Sequence, residues 1–151
     1  MTETISTASL IELLKPSIGK KISHAWEGYG SAIFIEVGQL SKDEKQNNPT
    51  GEFTFMIEGS WRVEKENIIL FGSWSEPETI SKYWHELIGP NVKEVVVVGQ
   101  IPELCISLSS EFRILSFSTT HGDPEWAILL PDNTEIYSRF GKVIKENRQF
   151  N

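Results

Sequence analysis

Two stretches 70 residues apart decide the reading of this chain: residues 9–22, SLIELLKPSIGKKI, and residues 79–92, TISKYWHELIGPNV. In the first, Leu10, Leu13 and Leu14 fall on one helical face with Ile11 beside them, and Pro16 and Gly19 follow as stop signals. In the second, Ile80, Tyr83, Trp84, Leu87 and Ile88 make one apolar stripe at helical spacing, stopped by Gly89-Pro90. The stripes superimpose without a gap: Leu10, Leu13, Leu14, Ile18, Gly19 and Ile22 match Ile80, Tyr83, Trp84, Ile88, Gly89 and Val92. Ser9 with Glu12 has capping-box spacing for the first helix, and Thr7 is an equally good cap. Ser75 with Glu78 is the matching signal for the second, with Pro77 near its start.

Strand patterns follow each helix. Lys21–Glu27 places Ile22, His24 and Trp26 on one face, and Gly28-Tyr29-Gly30 reads as a turn. Ser31–Gly38 alternates on Ile33, Ile35 and Val37, and Glu52–Glu58 on Phe53, Phe55 and Ile57. Ser60–Lys65 and Asn67–Ser73 form a hairpin around Lys65-Glu66-Asn67. After the second helix come Val92–Gly99, Glu103–Ser109, Phe112–Thr119, Glu125–Leu130 and Thr134–Arg139. In this half Leu104, Ile106 and Leu108 answer Ile33, Ile35 and Val37 with a one-residue slip. The expectation is one α+β domain over residues 1–151, with two helices and about eight mostly antiparallel strands. They fall in two helix-plus-meander pseudo-repeats, 7–74 and 75–140. A single twisted sheet or partial barrel with two helices is the alternative. Residues 1–6 read as a loose leader, 39–51 as a mobile loop and 142–151 as a frayed tail.

Composition narrows the function classes. The formal charge is −7, from 21 acidic and 14 basic residues, and no basic stripe exists, which argues against nucleic-acid binding. An acidic surface favours basic partners and deters anionic membranes. The single cysteine, Cys105, excludes an internal disulfide and suits a reducing compartment. The first residues lack a signal-peptide pattern, and no apolar run approaches the ~18 residues of a spanning helix, so a soluble cytoplasmic protein is expected.

No catalytic set is legible, and no metal or cofactor is expected. His24, His85 and His121 have no metal-ligand spacing. His121 lies in a loop with Asp123 and Glu125, a set capable of acid–base or weak metal chemistry and equally of a polar turn. Cys105 has no adjacent base, and Gly28-Tyr29-Gly30-Ser31 lacks the lysine and helix of a phosphate loop. Trp61 and Trp74 flank the hairpin, with Arg62 and Glu64 on the strand face opposite Trp61 and Val63. These residues read either as core and ion pair or as binding anchors, since Trp and Arg dominate interface energetics. The candidate binding residues are therefore Trp61, Arg62, Trp74, His121, Asp123 and Glu125.

The stretch FMIEGSWRVEKENIILFGS at residues 55–73, with Pro102-Glu103-Leu104 and Pro124-Glu125-Trp126, resembles small bacterial proteins of unknown function. Some families of that type accompany polymorphic toxins as immunity proteins. The resemblance implies an immunity-type protein and supplies no site residues; the acidic balance and the missing catalytic set point to a non-catalytic protein-binding domain that neutralises a basic toxin or enzyme. The alternative is a small-molecule-binding domain or small enzyme with a pocket between the halves, near His121 or Trp26.

Overall fold

The computed structural model describes residues 1–121 and 125–148. Its helices are α1 (Thr7–Leu14), continued by a 3₁₀ turn at Lys15–Ser17, and α2 (Pro77–Tyr83), continued by one at Trp84–Leu87. The strands in chain order are β1 (Thr2–Ile5), β2 (Ile22–Glu27), β3 (Ile33–Val37), β4 (Phe53–Ile57), β5 (Ser60–Lys65), β6 (Ile68–Gly72), β7 (Val92–Val98), β8 (Glu103–Leu108), β9 (Phe112–Phe117), β10 (Trp126–Leu129), β11 (Thr134–Arg139) and β12 (Lys142–Asn147). They make two antiparallel sheets, β1-β12-β11-β10-β4-β3-β2 and β6-β5-β9-β8-β7. One core joins them: Ile33, Phe55 and Ile128 of the first sheet cluster with Val63, Ile106 and Ile114 of the second. The architecture is α+β in two sheets, rather than one sheet or a partial barrel.

The 70-residue offset recurs in the hydrogen bonds where the halves meet. Gly19 N–H donates to Val92 O at 2.7 Å, and Gly89 N–H to Ile22 O at 2.9 Å. Ile22 N–H donates to Pro90 O and Val92 N–H to Lys20 O, both at 2.8 Å. Each of these bonds is the image of another under a pseudo-twofold. Gly19 and Gly89 both have positive φ, 86° and 119°, which side chains resist, so glycine is needed at both corners. Each helical unit reaches the other half's first strand, α1 against β7 and the Trp84–Leu87 turn against β2.

The halves also exchange strands. After β4 the chain leaves the first sheet, and β5 pairs with β9 of the second. After β9 it leaves the second sheet, and β10 pairs with β4 of the first. A tryptophan marks each crossing. Trp61 Nε1–H donates to Ser31 O at 2.6 Å, and Trp126 Nε1–H to Pro102 O at 2.9 Å.

Several expectations need correction. Among the described residues twelve strands form where about eight were expected, and the two with no counterpart in the stretches read as strands are β1 and β12. Residues 2–5 are not a loose leader and 142–147 are not a frayed tail, because β1 and β12 pair with each other and β12 also with β11. The polar sequences of β1 and β12 become strands through that pairing alone. The cap of α1 is Ser6, whose Oγ accepts from Ser9 N–H. No side chain caps α2, and Ser75 Oγ instead accepts from Gly72 N–H. Ile88 lies exposed beyond the last helical turn. In β2 the register shifts between Ile22 and His24, so Ile22 and Ala25 enter the core while His24 and Trp26 face outward. The same shift occurs 70 residues later, between Val92 and Glu94.

Residues 39–51 carry an isolated bridge, Ser41 to Thr50, and fold back on the first sheet. Asn48 Oδ1 lies 3.0 Å from His24 Nε2. At the loop's base Glu52 accepts from Gln39 N–H at 2.8 Å and from Lys20 Nζ at 3.2 Å. The Gln39 amide first, and Lys20 second, hold the Glu52 carboxyl below the usual glutamate range. A depressed carboxylate pKa contributes stability above the unfolded value, and that contribution is lost as pH falls through the folded value. Glu52 is therefore expected to titrate below a free glutamate in an NMR pH series, and Glu52→Gln to flatten the acid limb of the stability profile.

Candidate binding surface

Alternation along β5 and β9 sends Trp61, Val63, Ile114 and Ser116 inward. The intervening residues stand on the outer face of the five-stranded sheet. Arg62 lies opposite Leu115, and Ser60 opposite Phe117. Beyond β6, the turn at Gly72–Ser75 brings Trp74 back over this face, where its Nε1–H donates to Ser60 Oγ at 3.2 Å. A shallow cleft of about 380 Å³ results, lined by Arg62, Ile69, Trp74 and Phe117 among others. Trp74 is 84% exposed, Ile69 63% and Phe117 60%. Large apolar side chains gathered in the open on one sheet face are the uncommon feature of this molecule.

Charge on this face is balanced locally. Glu64 accepts from Arg62 Nε at 2.8 Å and from Arg113 at 2.9 Å, so one carboxylate serves two guanidinium groups. Directly after Trp74 the chain runs through Glu76 and Glu78, both exposed. The aromatic cluster therefore has an acidic border on the α2 side.

The structure divides the six candidate residues among different places. Arg62 and Trp74 meet in this cleft. Trp61 contributes to the cleft wall but is nearly buried, with its ring edge-on to Phe71 and Trp84. His121 and Glu125 line a second cleft of about 370 Å³, where the β7–β8 loop meets the β11–β12 turn. Asp123 lies outside the described residues. Phe140 projects at that second cleft, with the His121 ring 5.2 Å from its own and Arg139 against its face. Glu125 is held by Thr120, which donates to it at 2.8 Å.

Other chemistry is not assembled. Trp26 is engaged on the outer face of the first sheet, stacked on Phe34 at 3.9 Å. The three histidines sit apart, His85 exposed on the turn after α2, and no cluster of metal-ligating side chains occurs among the described residues. Cys105 is buried between Val96 and Leu115, and burial pushes its thiol up, against the pull of Arg113. It stands protonated at neutral pH, the opposite of a nucleophile's requirement.

Sequence reasoning missed Ile69 and Phe117. The signal was present for Phe117, which alternates outward from buried Ile114 and Ser116, but Ile69 shares the phase of buried Phe71 and stands outside only because the β5–β6 register shifts between Val63 and Glu64. No helix is long and apolar enough to cross a membrane among the described residues. Compared with protein-family models, curated proteins and solved structures, the chain shows no significant match.

Proposed function

We propose that this protein is a non-catalytic binding domain that takes a basic protein partner on the outer face of its five-stranded sheet. The observation that carries the reading is the exposed cluster of Trp74, Phe117 and Ile69 beside Arg62. Tryptophan and arginine at the centre of a patch are typical binding anchors. The basic character of the partner rests on the −7 net charge and on Glu76 and Glu78 bordering Trp74. Neutralisation of a basic toxin, in the manner of an immunity protein, is the biological role this chemistry suits.

The test is binding to the protein encoded beside this one, measured by calorimetry with purified components. Wild type binds, and Trp74→Ala weakens binding by about 2 kcal/mol, or roughly 30-fold. Because Trp74 packs little, the same variant stays within about 0.5 kcal/mol of wild type in urea unfolding. A partner that does not bind wild type, or binds Trp74→Ala equally, defeats the proposal.

A second reading places a small ligand in the cleft at His121. It is favoured by Phe140, a non-glycine residue held at φ 51° with its ring open to that cleft. The positive φ belongs to the two-residue β11–β12 hairpin turn, Phe140-Gly141 between paired Arg139 and Lys142, a turn in which a large aromatic residue is an uncommon choice. A thermal-shift screen of metabolites that stabilises wild type but not Phe140→Gly would turn the assignment toward this cleft.

A further inference from the structure

We infer that the cleft at His121 binds a small organic carboxylate, its carboxyl group meeting Arg139 and Ser138 and its apolar body lying on Phe140 and Ile101. This rests on the second reading above, names the ligand class for it, and is independent of partner binding at Trp74. The case begins with a buried hydroxyl. Among the described residues five polar or charged ones are buried: Ser17, Glu36, Ser116, Thr134 and Ser138. Four have side-chain partners. Ser17 Oγ–H donates to Leu14 O, and Glu36 accepts from Trp26. Ser116 Oγ accepts from Leu104 N–H, and the Thr134 hydroxyl donates to Asn147. Ser138 is 7% exposed, and its hydroxyl has no hydrogen bond among the described residues. Buried polar side chains are nearly always paired, so a lone one calls for a partner. Ser138 shares the inward parity of Ile136 and lines the cleft where the two sheets part.

Arg139, the next residue, is the second uncommitted group on the cleft wall. Arg62 and Arg113 pair with Glu64, and Arg148 with Glu135. Arg139 has no carboxylate partner among the described residues, although the chain holds 21 acidic residues against 14 basic ones. The polar neighbours are engaged with one another. Thr120 donates its hydroxyl to Glu125, whose other carboxylate oxygen is turned to Gly59. The Ser118 hydroxyl donates to Glu103 at 2.7 Å. What remains is a guanidinium fork and a free hydroxyl, donors that match the two oxygens of a carboxylate.

The apolar body has its own platform. Phe140-Gly141 turns with φ 51° and 73°, a geometry for which Asn-Gly is the preferred pair. The chain places a phenylalanine there instead, 55% exposed, with the Arg139 guanidinium 5.4 Å from its ring. Ile101, 64% exposed, lies on the wall of the same cleft. An aromatic ring beside a cation suits a ligand that is apolar along its length and anionic at one end. The volume of about 370 Å³ is at the small end of the range of roughly 300–1,000 Å³ for ligand pockets. The ligand is therefore a small acid.

The experiment titrates the full chain with phenylacetate, indole-3-acetate and hexanoate, followed by amide NMR shifts. At least one acid is expected to saturate, with shifts centred on residues 101, 118–121 and 138–141. The neutral amide of that acid binds at least about tenfold more weakly. Arg139→Gln weakens binding of the acid at least about tenfold. Ser138→Ala does the same and yet unfolds at no lower temperature than wild type, because it removes a hydroxyl that the free protein leaves unpaired. Phe140→Asn suits the turn, so it keeps the fold and loses affinity. Trp74→Ala binds the acid as wild type does. No saturable shift from any of the three acids overturns this inference and the second reading together. Equal binding of the neutral amide, or unchanged affinity in Arg139→Gln and Ser138→Ala, overturns the carboxylate assignment and leaves a ligand cleft.

Discussion

Replacing Trp126 with alanine is expected to cost about 4 kcal/mol, the largest loss of any single substitution in this chain. Trp126 is fully buried and is the largest such side chain. It stands where the chain re-enters the first sheet, opposite Ile57 of β4, with its indole N–H on Pro102 O. Truncation removes the ring from the core and leaves the Pro102 carbonyl without its donor, a further penalty of about 1–3 kcal/mol if water does not enter. Domains of this size have roughly 5–15 kcal/mol in total, so the variant survives only near the folding threshold. Trp126→Phe keeps most of the apolar contact and loses the hydrogen bond, so it falls between. Urea midpoints for the three proteins check the order. An alanine variant within about 1 kcal/mol of wild type would refute the role assigned to the crossing. Trp61→Ala at the pseudo-equivalent crossing is expected to follow the same order, and it is a poor probe of binding for that reason.

Loss of the Glu36 carboxylate is the second large effect, about 3 kcal/mol for Glu36→Ala. Glu36 is 2% exposed although its strand parity points it outward. It accepts from Trp26 Nε1–H at 2.8 Å, Gly51 N–H at 3.2 Å and the Thr54 hydroxyl. These donors come from β2, the end of the 39–51 loop and β4, so one carboxylate ties the loop to two strands. Alanine leaves the donors buried without an acceptor. Glutamine keeps one oxygen for Gly51 and Thr54 but turns an N–H toward the indole N–H, so it recovers about half. Denaturant unfolding gives the energies, and limited proteolysis within residues 39–51 reports release of the loop. A Glu36→Ala variant with wild-type stability and an uncleaved loop would remove the latch.

Much of the fold is legible from local pattern. The two helical stripes, their glycine stops and the alternation of β3 through β5 follow from apolar spacing and turn chemistry within a dozen residues. The one-residue slip between halves is real in the structure, where Ile22 faces Val37 and Val92 faces Leu108. The bulge in β2 was not legible, and it reversed the faces of His24 and Trp26. Nor was the equivalence of Trp61 and Trp126. They stand 65 apart, while the helices repeat at 70 and the β3 and β8 strands at 71, because the intervening turns differ in length. The exposed cluster was half legible: Trp74 and Arg62 were named from residue type, whereas Ile69 and Phe117 needed a sheet to bring them alongside.

The sequence by itself determined the acidic balance, the absence of an internal disulfide, the two helices and the phase of most strands. All of these depend on residue chemistry or on periodicity over a few turns of chain. Only the tertiary structure decided that the halves exchange strands, that β1 and β12 complete a sheet, that Glu36 is buried, and that Trp84 closes the β2 edge. Each of those is fixed by pairing between residues far apart in the chain, whose partners a local pattern does not specify.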